Sequence, residues 1–117
     1  MSKKLVIIGA SGHGKVIADI AKKNGYYEIV FLDDNETIHE CGGYPVIGRS
    51  HEVDTINADV IVGIGNASIR KKIQQSIPAR KMATLIHPSA VVAEDVIIGV
   101  GTVIMAGAVI NSGARIG

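Results

Sequence analysis

Residues 86–117 read IHPSAVVAEDVIIGVGTVIMAGAVINSGARIG. An aliphatic side chain returns there at every sixth position: Ile86, Val92, Ile98, Ile104, Ile110 and Ile116. Four residues after each of the first five stands a small or β-branched residue: Ala90, Val96, Thr102, Ala108 and Ala114. A helix repeats its apolar face every 3.6 residues and a plain strand every 2. A period of six instead describes short strands joined by corners, with one aliphatic residue turned inward on each face, the pattern of a hexapeptide β-helix. Gly99, Gly101, Gly107, Gly113 and Gly117 fall at or near the corners, where backbone without a Cβ bends freely. Such a coil takes three hexapeptides, so residues 86–117 make fewer than two coils. Its end leaves parallel strand edges open. The expectation is that the sequence is a truncation or that partner chains cover that end.

Upstream the pattern changes. Leu5-Val6-Ile7-Ile8 reads as a buried parallel strand and runs into Gly9-Ala10-Ser11-Gly12-His13-Gly14-Lys15. Val16, Ile17, Ile20 and Ala21 then keep helical spacing to Lys23, and Asn24-Gly25 is a helix stop. Ile29 to Leu32 is a second strand, ending in Asp33-Asp34-Asn35. Residues 36–43 read as a polar loop and Pro45 to Gly48 as a short edge strand, and Ser50 caps a brief helix through Val53 and Ile56. Val60 to Val62 is a third central strand leading into Gly63-Ile64-Gly65-Asn66. A helix over 67–77 places Ile69, Ile73 and Ile77 on one face and stops at Pro78. Met82 to Ile86 is the next strand. Strand–helix alternation of this kind builds a parallel sheet. The fold class is therefore α/β: a small Rossmann-like domain over residues 1–84, then an incomplete hexapeptide-repeat β-helix over 85–117.

Composition narrows the function. In 117 residues, apolar content is 47% but aromatic content only 3%, so the core is aliphatic. The net charge of +1 and the lack of aromatics beside Arg70-Lys71-Lys72 or Arg80-Lys81 argue against a nucleic-acid surface. Cys41 stands alone, so it has no internal disulfide partner and builds no cysteine zinc site. No histidine or acidic cluster has metal-ligand spacing. The N-terminal residues before the first strand are too few for a signal peptide or membrane span, which makes a cytoplasmic protein the expectation.

The strand, glycine-rich turn and helix start form a ready anion site, because free N–H groups and the helix dipole face the turn. Gly9, Gly12 and Gly14 would let a diphosphate approach the backbone. The segment Gly9 to Lys15 also fits G-x-x-x-x-G-K, but Val16 replaces the hydroxyl residue that would hold Mg²⁺. A dinucleotide turn wants G-x-G-x-x-G, whereas the spacing here is G-x-x-G-x-G. Asp33 or Asp34 could still bond a ribose hydroxyl, which keeps NAD as an alternative. The third candidate is a nucleotide-sugar, with its diphosphate on the turn and its nucleoside near Asp33, Asp34 and residues 63–66. Ser11, His13 and Lys15 lie at the turn. Gly65, Asn66 and Arg70 lie at the mouth of the third strand, where open sheets bind ligands. His39 and His51 read as solvated, and His87 as the opening of the β-helix.

Taken together, Gly9-Ala10-Ser11-Gly12-His13-Gly14, Phe31-Leu32-Asp33-Asp34, Gly63-Ile64-Gly65-Asn66 with Ile69-Arg70-Lys71-Lys72, and Ile86-His87-Pro88-Ser89-Ala90 resemble one family. It is the sialic acid O-acetyltransferase and UDP-4-amino-sugar N-acetyltransferase family of bacterial surface-glycan synthesis. The resemblance implies a Rossmann-like domain holding a nucleotide-sugar. It also implies a left-handed β-helix holding acetyl-CoA between the subunits of a homotrimer. It implies sugar-nucleotide contacts from Gly12, His13, Asp33, Asp34 and Asn66. The family's catalytic base is a histidine in a later coil, and no histidine follows His87 here. The expectation is a chain that binds sugar nucleotide without transferring acetyl groups. The alternative is a non-catalytic nucleotide-binding module.

Overall fold

The computed structural model describes residues 3–116. Five strands form one sheet: β1 (Lys4–Ile8), β2 (Glu28–Leu32), β3 (Glu40–Cys41), β4 (Tyr44–Gly48) and β5 (Asp59–Val62), in the spatial order β3-β4-β2-β1-β5. β1 lies at the centre of the parallel set, with Ile7 opposite both Phe31 of β2 and Ile61 of β5. Alternation in β1 divides the core. Leu5 and Ile7 face helix α1 (Gly12–Lys23), meeting Ile17, Ile20, Ala21 and Phe31. Val6 and Ile8 face the other side, among Val30, Leu32, Val53, Val60 and Ile77. All four β1 residues are at most 1% exposed, and burying each such side chain contributes about 1.5–3 kcal/mol.

Two expectations about the sheet are corrected. β4 is not the edge strand, because residues 36–43 are not all loop. Gly42 and Gly43 take φ of +58° and +88°, the left-handed pair that closes a tight two-residue hairpin. They fold β3 back antiparallel on β4, with Cys41 opposite Tyr44. The expected strand from Met82 to Ile86 is divided. Met82 makes only an isolated parallel bridge to Val60, and Leu85–Ile86 (β6) pairs with the coil instead. Ala83 is where the partners change: its N–H donates to Val60 O (2.8 Å) and its O accepts from Gly101 N (3.0 Å). β5 is consequently the last full strand of the sheet rather than a central one.

Helix α2 (Ala67–Gln75) stops short of Ile77, because the Ser76 hydroxyl donates to Ile73 O (2.7 Å) and unwinds the last turn. The expected apolar face is incomplete: Ile73 and Ile77 reach the core, but Ile69 is 50% exposed. Residues 50–55 form a 3₁₀ helix. Its cap is not Ser50, as expected. Arg49 flanks it, and the Glu52 carboxylate accepts from the Arg49 N–H.

The six-residue ladder becomes six two-residue strands: β6, β7 (Val91–Val92), β8 (Ile97–Ile98), β9 (Val103–Ile104), β10 (Val109–Ile110) and β11 (Arg115–Ile116). Each pairs in parallel with the strand 18 residues away: β6 with β9, β7 with β10, β8 with β11. Three hexapeptides therefore make one turn of a parallel β-helix. The ladder side chains are buried or half-buried, while Val91, Ile97 and Val109 between them are exposed. Gly101, Gly107 and Gly113 turn corners at positive φ. Gly99 does not act as a corner: its N–H donates to Ile116 O (2.6 Å) and extends the ladder. Gly117 lies outside the described residues.

The coil is fixed to the sheet at two places. Leu85, fully buried, joins the core under α1. Asn24, just past the end of α1, donates from Nδ2 to Ile86 O (2.7 Å) and accepts from Ile86 N at Oδ1 (3.0 Å). This pair satisfies both backbone groups of a strand residue whose own ladder lies elsewhere. Asn24→Ala should destabilise the protein by about 2 kcal/mol, the sum of two ordinary hydrogen bonds, and Asn24→Asp by less, since one acceptor survives. Urea unfolding of both variants measures it.

Candidate functional site

Helix α1 starts at Gly12, four residues before the apolar spacing shows it. Its first i→i−4 bond runs from Lys15 N to Ser11 O (3.0 Å), so the N–H groups of Gly12, His13 and Gly14 have no acceptor within the helix. Ser11 is the N-cap in extended backbone, but its hydroxyl makes no capping bond, and the first turn carries no acid. The positive end of α1 is open. Helix α2 is the opposite case: Asn66 Oδ1 accepts from Ile69 N (3.0 Å) and closes that terminus. Asn66, expected as a ligand contact, serves as a cap.

The glycines divide by role. Gly9 has φ +112°, a conformation side chains rarely adopt. A Cβ on Gly14 would lie 2.2 Å from Gly9 O and 3.0 Å from Phe31 Cε1. A Cβ on Gly63 would meet Ile7 and Ile17 at 3.1 and 3.2 Å. These three let the start of α1 rest on the ends of β1 and β5. Gly12 and Gly65 face open space, with nothing within 4 Å of a Cβ.

The expected site residues separate into two clefts and a third group that meets neither. A cleft of about 220 Å³ at the C-terminal ends of the parallel strands is lined by Gly9, Asp33, Asp34, Ser50, Ile64 and Ile69, among others. A second, of about 340 Å³, lies between the sheet domain and the coil, and includes His13, Arg70, Gln74, Thr102 and Met105. Arg70 leans across its mouth, with Nη1 3.4 Å from Ile64 O. Lys15 turns away from both clefts: its stem runs beside Gly42 of the hairpin.

Both acids are engaged within the chain. Asp33 Oδ2 accepts from Ala10 N and Oδ1 from Asn35 N, each at 2.8 Å. Asp34 accepts from the Ser50 N–H and hydroxyl, each at 2.9 Å. The Ser50 backbone bond, then its hydroxyl, hold the Asp34 carboxyl below the ordinary value of 3.8. Sequence spacing gave no signal for this contact across 16 residues. The apolar lining from Ile69, and the coil residues of the second cleft, likewise had no signal in local spacing. His87 Nδ1 accepts from Ser89 N (3.0 Å). The Ser89 hydroxyl lies 2.9 Å from the same nitrogen, so both polar groups of Ser89 meet the His87 ring.

A Rossmann-like sheet, an open helix end beside two clefts, and short strands wound into a parallel β-helix together define the architecture. The chain belongs to the family described as the PglD N-terminal domain, which matches residues 4–77. It is 38% identical over 112 residues to UDP-N-acetylbacillosamine N-acetyltransferase of Bacillus subtilis (strain 168), covering 89% of this chain and 52% of that protein. Among solved structures it is similar to the acetyltransferase domain of PglB from Neisseria gonorrhoeae FA1090 in complex with acetyl coenzyme A. That match has a TM-score of 0.90 and 40% identity, and covers 99% of this chain and 59% of that one. PerB from Caulobacter crescentus, in complex with CoA and GDP-perosamine, matches with a TM-score of 0.83 and 29% identity over 96% of this chain and 56% of that one. The chain spans about half the length of these relatives. No helix among the described residues is long and apolar enough to cross a membrane.

Two predictions follow from this geometry. Gly14→Ala should unfold readily in urea, losing about 1–3 kcal/mol or more through overpacking, whereas Gly12→Val should keep most of its stability, because a side chain there meets open space. Asp34 has a lowered folded pKa, so its bonds stabilise the native state above about pH 4 and that contribution fades as pH falls through the lowered value. Ser50→Ala should therefore lower stability near neutral pH and flatten its loss below about pH 4, read from thermal melts across the acid range.

Proposed function

We propose that this chain is the sugar-nucleotide-binding half of an acetyl-CoA-dependent sugar acetyltransferase. The carrying observation is the uncapped start of α1, lying between a cleft at the strand ends and a groove against the coil. In this reading the diphosphate takes the free N–H groups of Gly12, His13 and Gly14. The nucleoside fills the cleft of Gly9, Asp34, Ile64 and Ile69, with Ser11 and Gly65 at its rim. The sugar extends into the groove, where His13 and Arg70 supply donors and the coil is near. Relatives whose names and structures include UDP- and GDP-sugars, CoA and acetyl-CoA support this assignment.

The chemistry is attack of a sugar amine or hydroxyl on the thioester carbonyl, with a base to take the proton. In this reading the base lies outside these residues: His87 is the last histidine of the sequence, and its Nδ1 accepts from the Ser89 N–H. The proposal assigns recognition to this chain. It assigns acetyl-CoA binding and proton transfer to further β-helix coils of left hand, with a homotrimer in the cytoplasm as the working assembly. Exposed Val91 and Val109 on one coil face, and Ile97 on the next, suit burial against other subunits. A NAD site would need an acid on the ribose, and Asp33 is already held by Ala10 and Asn35.

Calorimetry with UDP, GDP, CMP and NAD is the test. Saturable binding of a nucleoside diphosphate, with none of NAD, is expected. Binding of NAD alone would overturn the assignment.

A further inference from the structure

The turn that leads into the open helix end is held by an acid, which is not what charge alone would place beside an anion site. We infer that Asp33 is a positioning residue of the glycine turn rather than the ribose-binding acid its place at the end of β2 suggests. This rests on the sugar-nucleotide reading above. Three consecutive residues of the turn are each fixed from outside it. Gly9 N–H donates to Leu32 O (2.8 Å), Ala10 N–H donates to Asp33 Oδ2 (2.8 Å), and Ser11 O accepts from the Cys41 thiol (3.5 Å). Ala10 is 7% exposed, so its N–H has little access to water and would be costly to leave unpaired. Asp33 cannot swing freely to a ligand either, because Oδ1 is held by Asn35 N–H.

The consequence concerns recognition. The Ala10 N–H is withheld from the cleft, so the anion-binding donors are those that follow it along the turn into α1. The carboxylate sets the direction from which the chain enters α1, and with it the aim of those donors. A charged acceptor suits that task, because charge-assisted hydrogen bonds are about twice as strong as neutral ones. An aligned turn binds the diphosphate itself, so the effect of losing Asp33 is common to every ligand carrying one. A ribose contact would affect only ligands with a ribose.

Two measurements on wild type, Asp33→Ala and Asp33→Asn decide the matter. The first is amide hydrogen exchange at Ala10, with global stability followed by urea unfolding as a control. Protection is expected in wild type, lost in Asp33→Ala beyond any global change, and partly restored in Asp33→Asn, whose side-chain oxygen can still accept. An unprotected wild-type Ala10 amide, or protection unchanged in Asp33→Ala, overturns the inference. The second is Kd for UDP and for inorganic pyrophosphate. Asp33→Ala should weaken both by the same factor, about tenfold as for one hydrogen bond to a charged group, with Asp33→Asn between. Weaker UDP binding with unchanged pyrophosphate binding puts a ribose on the acid and overturns the positioning role. If wild type binds neither ligand, the sugar-nucleotide reading fails, and the exchange experiment still decides whether Asp33 holds the turn.

Discussion

Helix α1 lies on the sheet only because no side chain stands between Gly14 and Gly9. A Cβ there would sit 2.2 Å from the Gly9 carbonyl oxygen, and Gly63 gives matching clearance from the β5 side, beneath Ile17. That close approach fixes where the helix begins, and a helix that begins there points its first N–H groups over the strand ends. The site follows from backbone proximity more than from any side chain. Asp33 and Cys41 then hold residues 10 and 11 in the resulting turn.

The same helix carries the second joint. Its 12 residues span about 18 Å at 1.5 Å per residue. At one end is the open, uncapped terminus, and at the other is Asn24, bonded to both backbone groups of Ile86. With Leu85 buried under α1, the coil is registered against the sheet by a single rigid element. The start of α1 and the coil are therefore held at a set distance from each other.

Much of this was legible in the sequence for a physical reason: both halves depend on periodic burial. The continuous apolar run from Leu5 to Ile8 could only be a strand covered on both faces, and the six-residue ladder could only be a coil. The differences come partly from a local signal and partly from long-range partners. The Gly42-Gly43 pair is a local hairpin signal, and reading residues 36–43 as loop overlooked it. Nothing near Met82 shows that the chain leaves the sheet there, because the competing partner, Gly101, comes from the end of the first coil. Asn66 and Asp34 both lie at strand ends, where ligand contacts are expected, and each also has a partner within the chain. In the structure one caps α2 and the other holds Ser50.

By itself the sequence determined a parallel α/β sheet, a glycine turn opening a helix, and a hexapeptide coil, because each is written in spacing over a few neighbouring residues. The tertiary structure alone decided which glycines are packing surfaces and which remain open. It also decided which acids are spent on the chain's own backbone, and how the coil is pinned to the sheet. Several of those outcomes depend on atoms brought together from residues 16 to 62 apart in the chain, where hydrogen-bond partners are chosen by the fold and local pattern carries no record of the choice.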